Sequence, residues 1–187
     1  MRSRSVCSVL LLVPTLLVVS RSSLAAQALG KATAGPVIPD YGAAFDVPNP
    51  DFPVPTGPRR VLVQTTESGK GPGDLNSHIV MVARYLNMHA RAGVPVENMH
   101  LALVLHGGAG KDALSNEAYR KRYGVDNPNA KLIQELIGAG VQVILCGQTQ
   151  TARGFHREEL AHGVKLALSA LTAVVTLEDE GYRLIPW

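Results

Sequence analysis

A cysteine ends an apolar run at residues 141–146, Gly147 follows it, and an arginine stands seven positions on at Arg153. If residues 141–146 form a strand and residues 148–153 a short helix, Cys146 lies at the positive end of a helix dipole, beside N–H groups without helical partners. Both favour thiolate over thiol and lower the pKa from its ordinary ~8.5. Thiolate is the form that attacks sulfur, so this spacing points to thiol chemistry. Gly147 and Gln148 would offer backbone N–H groups to the charge, and Arg153 a cation if the helix folds back. The same residues also describe a cysteine that finishes a buried strand, and the residues alone leave both readings open.

A second apolar run, Met99–Leu105, ends in His106-Gly107-Gly108-Ala109-Gly110. His106 is the nearest candidate base or hydrogen-bond donor. Gly107 and Gly108 free the backbone to present N–H groups to an anion, or only to turn a strand into a helix. Asn116, in the polar stretch that follows, and Gln148 are candidate ligand contacts. Sharper motifs fail. There is no G-x-S-x-G elbow to accompany His-Gly-Gly. Neither Gly69-Lys70 nor Gly110-Lys111 has the flanking residues of a phosphate loop. No histidine pair has zinc spacing, His78 and His89 being too far apart for joint ligation, and without C-x-x-C there is no dithiol chemistry. No metal and no organic cofactor are expected.

For the two run ends to meet, the runs must lie side by side in one sheet. Residues 61–66 read as a first strand. Leu75, Ile79, Val82, Leu86 and Ala90 repeat at helical spacing, with Asp74 as the expected cap and Gly93 as the stop. A polar helix is expected over 114–122. Asn127-Pro128 reads as the cap and first position of a helix bearing Leu132, Ile133, Leu136 and Ile137, stopped by Gly138 or Gly140. Residues 164–168 read as a strand, Ser169 as the cap of a helix over 170–180 stopped by Gly181, and residues 182–185 as a last strand. The β-branched residues 172–176 could instead be strand. Apolar strands alternating with helices predict a three-layer α/β/α fold, with a mostly parallel sheet of about five strands, and reacting groups at the strands' carboxyl ends.

The flanks differ in kind. Residues 1–28 hold Arg2 and Arg4, an apolar run over 6–20 and Ala26-Gln27-Ala28, the pattern of a cleaved secretory signal. The run is short for a bilayer span of ~20 residues, though an uncleaved anchor is the alternative. Cleavage would remove Cys7 and leave Cys146 alone. It would also remove Arg2, Arg4 and Arg21, leaving fifteen basic against fifteen acidic residues. A neutral chain lacks the basic excess that phosphate backbones require, so general nucleic-acid binding is not expected, nor a membrane association after cleavage. Residues 29–58 carry seven of the twelve prolines. They read as an extended arm anchored by Tyr41, Phe45 and Phe52 on the domain or on a neighbouring subunit, or as a loose linker. The domain proper is expected over 59–187.

The strand ending in Cys146, followed by Arg153-Gly154, resembles the DsrE/DsrF-like sulfur-relay family. His106-Gly107-Gly108, Asn116-Glu117-Ala118-Tyr119, residues 123–129, Cys146-Gly147-Gln148 and the ending from Glu180-Gly181-Tyr182 to Ile185-Pro186-Trp187 are similar to an exported subgroup of it. The resemblance implies that family's small α/β fold and sulfur carried as a persulfide on Cys146 between a thiol-containing donor and acceptor. It also implies a homo-oligomer, trimer or hexamer, with the cysteine near subunit boundaries. The family being mainly prokaryotic, export implies a periplasm. Gln148-Thr149-Gln150 is polar where the relay members are small and apolar, which implies a different ligand or a lost relay. A non-catalytic, oligomeric small-ligand-binding module is the alternative on the same fold.

Overall fold

The structure is a computed structural model that describes residues 30–186. The expected signal segment, with Cys7, lies outside the described residues. Five strands make one sheet: β1 (Arg59–Thr65), β2 (Met99–Leu105), β3 (Gln142–Cys146), β4 (Lys165–Ala167) and β5 (Arg183–Leu184). They are ordered β4-β3-β2-β1-β5, and every pairing is parallel. Parallel neighbours need crossovers, and here helices supply them: α1 (Ser77–Arg91), α2 (Asn116–Tyr123), α3 (Ala130–Gly138), α4 (Gly147–Ala152) and α5 (Ala170–Asp179). The result is the three-layer α/β/α architecture. None of the described helices is long and apolar enough to cross a membrane.

Side-chain alternation divides the core in two. Val61, Val63, Leu101, Leu103, Leu105, Val143 and Leu145 face α1 and α3, where Ile79, Val82, Leu86, Leu132, Ile133 and Leu136 cover them. Leu62, Ala102, Val104, Ile144 and Cys146 face α5 and its Ala170, Ala173 and Leu177.

Several boundaries differ from the sequence expectation. Asn76, not Asp74, caps α1, its side chain accepting from the His78 N–H at 2.9 Å. Asp74 closes its own turn by accepting from the Gly71 N–H. Leu75 therefore precedes the helix and is exposed. Asn129 is the residue before α3, while Asn127 accepts from the Asn129 N–H and donates to the Asp112 and Leu114 carbonyls. The helix expected after Ser169 is present, and the β-branched stretch 172–176 lies within it: Ser169 accepts from the Thr172 N–H, and the capped turn overrides local strand preference.

The arm lies along the domain, on α1. Ile38 and Ala44 are buried, and Tyr41 packs at the core's margin. Phe45 and Phe52 are exposed, so two of the three expected anchor rings do not anchor within this chain. Polar groups of α1 hold the arm instead. Asn87 Oδ1 accepts from the Val37 and Ile38 N–H groups, and its Nδ2 donates to the Ile38 and Tyr41 carbonyls. Arg91 donates to the Gly35, Ala34 and Ala44 carbonyls. Gly42 is where arm and helix backbones touch: it has φ +68°, and a Cβ there would stand 2.3 Å from the Arg84 nitrogen.

Candidate functional site

The register sets the site. Thr65 pairs with Leu105 and Leu105 with Leu145, so Thr66, His106 and Cys146 leave the carboxyl edge side by side, on strands ~4.8 Å apart. Cys146 is both the last residue of β3 and the N-cap of α4. Gly147 permits the abrupt change, since a Cβ there would stand 2.5 Å from the Ala167 carbonyl oxygen on β4.

The Cys146 side chain is buried, with 5% of its surface exposed, against Ile144, Ala170 and Ala173. Burial among apolar neighbours pushes the thiol pKa up. It is outweighed by the nearby Thr149 N–H, Thr149 hydroxyl, and Ala170 and Gln148 N–H groups, and the net pKa lies below the ordinary value, although the Cys146 side chain makes no cap hydrogen bond to α4. Two helix starts thus lie near the sulfur: α4, which follows Cys146 directly, and α5, which arrives from across β4.

Thr149 ties this cradle to the next strand. Its Oγ1 accepts from the Gly107 N–H at 2.9 Å. The glycine turn forms a short 3-10 helix, Gly107–Ala113, and the Ala109 N–H goes to the Thr66 carbonyl. The Gly107 N–H is therefore spent on Thr149 instead of being held out to an anion. Gly108 lies against the Thr66 carbonyl, where a Cβ would come within 2.7 Å of the oxygen.

His106 is half-buried. It lines a polar cavity of about 220 Å³ with Gln64, Thr65, Thr66, Glu67 and His78, and Thr65 Oγ1 hydrogen-bonds His78 Nδ1 at 2.9 Å. Cys146 is not among the residues lining it. Burial lowers the His106 pKa, so the imidazole is neutral at neutral pH and carries one donor and one acceptor nitrogen. Gln148 is exposed, donates to the Leu168 carbonyl, and borders an open cavity of about 270 Å³ with Gly147, Gln150, Thr151 and Leu168. Arg153 is exposed at the far end of α4, and the groups that lower the Cys146 pKa do not include it. Asn116 opens α2, and its Oδ1 accepts from the Asn127 N–H. The structure therefore brings Cys146, Gly147, Gln148 and the turn at Gly107 together around Thr149. It places Arg153 and Asn116 elsewhere.

Two partners of the sulfur escaped the sequence reading. Thr149 carried a signal, because a Ser or Thr three residues after an N-cap lies in the first turn, beside the capping side chain. Ala170 carried none, since only the packing of α5 brings its N–H to the site.

Beneath the same edge, Asp112 is fully buried. It accepts from Ser68 Oγ at 2.7 Å and Asn76 Nδ2 at 2.8 Å, with Lys111 Nζ at 3.5 Å. Lys111 in turn donates to the Tyr119 hydroxyl, which donates to the Pro72 carbonyl. This network fixes the loop between β1 and α1 against the glycine turn. Among the described residues no cluster of His, Cys, Asp and Glu is arranged to hold a metal.

The DsrE/DsrF-like family model matches residues 60–187. Among solved structures, the chain is similar to MTH1491, a protein of unknown function from Methanobacterium thermoautotrophicum, with 20% identity and a TM-score of 0.50. That match covers 68% of this chain and 97% of the other. It is also similar to the ychN protein from E. coli, with 16% identity and a TM-score of 0.51, covering 69% of this chain and 99% of the other. At these identities the likeness is one of fold. No curated protein sequence matches.

Proposed function

Because the chain belongs to the DsrE/DsrF-like family, whose model spans its whole sheet domain, we propose that it carries sulfane sulfur as a persulfide on Cys146. The observation behind this is the place of Cys146 at the start of α4, on the sheet's carboxyl edge, where the nearby Thr149, Ala170 and Gln148 groups lower its pKa despite burial. A structural cysteine needs no such donors.

The chemistry follows in two balanced steps. The Cys146 thiolate attacks the sulfane sulfur of a small donor such as thiosulfate. A Cys146 S–S bond forms, the donor's S–S bond breaks, and sulfite leaves with the electron pair. An acceptor thiolate then attacks the outer sulfur of the persulfide, takes it, and returns Cys146 as thiolate. The N–H groups of Gln148, Thr149 and Ala170, with the Thr149 hydroxyl, hold the negative charge at the start and end of the cycle. His106, neutral and on the neighbouring strand end, would exchange the proton of an acceptor thiol only if that acceptor reaches its separate cavity as well as the sulfur. Neither step calls for a metal or an organic cofactor.

A homo-oligomer, trimer or hexamer, belongs to the proposal, as does export to a periplasm. Supporting the oligomer, Leu168, Leu171 and Val175 are exposed beside the edge strand β4, close to the cysteine. Light scattering of the mature chain and of Leu171→Asp tests it: the variant is expected to lose subunits, and equal masses refute that interface. Sequencing the N-terminus of protein recovered from a cell's envelope tests export.

One observation favours the second reading, a small-ligand-binding module: the 5% exposure of Cys146. Intact mass after incubation with thiosulfate or polysulfide separates the two. A gain of one sulfur atom, absent in Cys146→Ala and lost to an added thiol, is expected for the carrier. No adduct, with the thiol also inert to a small alkylating agent, refutes the carrier and favours the binding module.

A further inference from the structure

At the amino edge of the sheet, opposite Cys146, three arginines surround one cavity. Arg59 and Arg60 open β1, and Arg183 opens β5. With Pro55, Pro58, Glu180 and Gly181 they line a polar space of about 500 Å³, larger than a single tetrahedral oxyanion needs and within the range of small-molecule sites. Arg183 is in register with Val61, so it and Arg59 lie diagonally on one face of the sheet, roughly 8 Å apart at their bases. Arg60 starts on the other face. Its guanidinium lies over the Tyr182 ring at 5.8 Å and donates one N–H to the Glu180 carbonyl, which holds the remaining donors in place. Pro55 and Pro58 wall the cavity with rigid backbone that offers no N–H of its own.

The charges are unbalanced. Arg91, Arg120, Arg122 and Lys131 each have a carboxylate partner, whereas among the described residues none of Arg59, Arg60 and Arg183 forms an ion pair. Like charges on neighbouring strands repel, at a cost to the fold that a bound anion would remove. Only one carboxylate, that of Glu180, borders the cavity against three cations. Planar guanidinium forks pair with oxyanions two bonds at a time, and several converging from two strands suit a ligand with more than one anionic group.

We propose that this cleft binds a small multivalent oxyanion, a ligand with two or more phosphate or carboxylate groups. Arg59 and Arg183 would grip it from one face of the sheet and Arg60 from the other. The site is separate from Cys146 and does not depend on the sulfur chemistry proposed for it.

Calorimetric titration of the full chain with pyrophosphate, orthophosphate and citrate tests this. Pyrophosphate is expected to bind one site per chain with a Kd of about 1 mM or tighter, and orthophosphate more weakly. Arg59→Gln and Arg183→Gln, both on exposed side chains, should each weaken pyrophosphate about tenfold or more with an unchanged melting temperature. Lys121→Gln, an equal loss of charge on the exposed surface of α2, should leave it unchanged. Tighter binding of citrate than of pyrophosphate keeps the site and assigns the carboxylate source. The proposal fails if nothing saturates, if potassium chloride at matched ionic strength abolishes binding, or if Lys121→Gln weakens it as much as the two arginine variants.

Discussion

The two faces of the sheet are covered to very different depths. On one, α1, α3 and the arm residue Ile38 close over the inward side chains of β1, β2 and β3, and twenty buried apolar residues form a continuous core. On the other, among the described residues, α5 alone makes the cover. Nine buried residues lie there, three of them alanines, and Leu171 and Val175 on its outer side stay exposed. The small residues bring α5 close to the sheet, and that closeness delivers the Ala170 N–H to Cys146. A thick layer of branched side chains at the same place would have held the helix away from the sulfur. Burial is concentrated on the first face, and the chemistry proposed for Cys146 belongs to the second.

The largest expected effect tests that division directly. Leu103, fully buried at the centre of β2, faces α1 and α3, and Leu103→Ala should cost about 3–5 kcal/mol in urea unfolding. Leu177→Ala, beneath α5, leaves a void that the thin layer can partly collapse into, and should fall near the low end, about 2 kcal/mol. Equal losses would mean that the faces carry the fold equally.

Asp112→Ala comes next, at about 3 kcal/mol, because it strands the buried Asn76 amide and the Ser68 hydroxyl and leaves Lys111 without its carboxylate. Burial pushes the Asp112 carboxyl pKa up, and the hydrogen bonds from Asn76 and Ser68 pull against it. Asp112→Asn retains the shape and should recover part of the loss. If Asp112→Ala unfolds at the wild-type urea concentration, the loop between β1 and α1 is held by something other than this network.

What could be read from the chain follows the same division. β2 and the apolar stripes of α1 and α3 stand in the sequence because a deep core imposes long runs and strict spacing, as Ile79, Val82 and Leu86 do. Cys146, Gly147 and Gln148 could be located because a strand end is a local feature. The cradle around the sulfur was half legible: Thr149 lies within one turn, but Ala170 arrives from a helix whose approach depends on tertiary packing. Asp112 was invisible because a carboxylate in sequence reads as solvent-facing, and only three-dimensional partners make its burial tolerable. Phe45 and Phe52 do not anchor the arm within this chain, where Asn87 and Arg91 bind it through its backbone, a role that side-chain type in sequence does not announce.

The smallest predicted effect sharpens the comparison most, since it tests the thin face's chemistry apart from its packing. Thr149→Val keeps the side chain's shape and removes the hydroxyl that serves both the Cys146 sulfur and the Gly107 N–H. The pH profile of Cys146 alkylation by a small reagent should move to higher pH, and Thr149→Ser should restore it. Stability should respond with a definite sign. The folded thiol pKa lies below that of the unfolded chain, so the thiolate's contribution is complete above the unfolded value and is lost as pH falls through the folded one. The penalty of Thr149→Val, about 1–2 kcal/mol, should therefore be largest in alkaline solution and shrink on acidification. What remains at low pH belongs to the Gly107 N–H, which loses its acceptor whatever the state of the sulfur. A penalty that does not vary with pH would mean that the hydroxyl serves the turn alone, and that the helix-start N–H groups hold the thiolate without it.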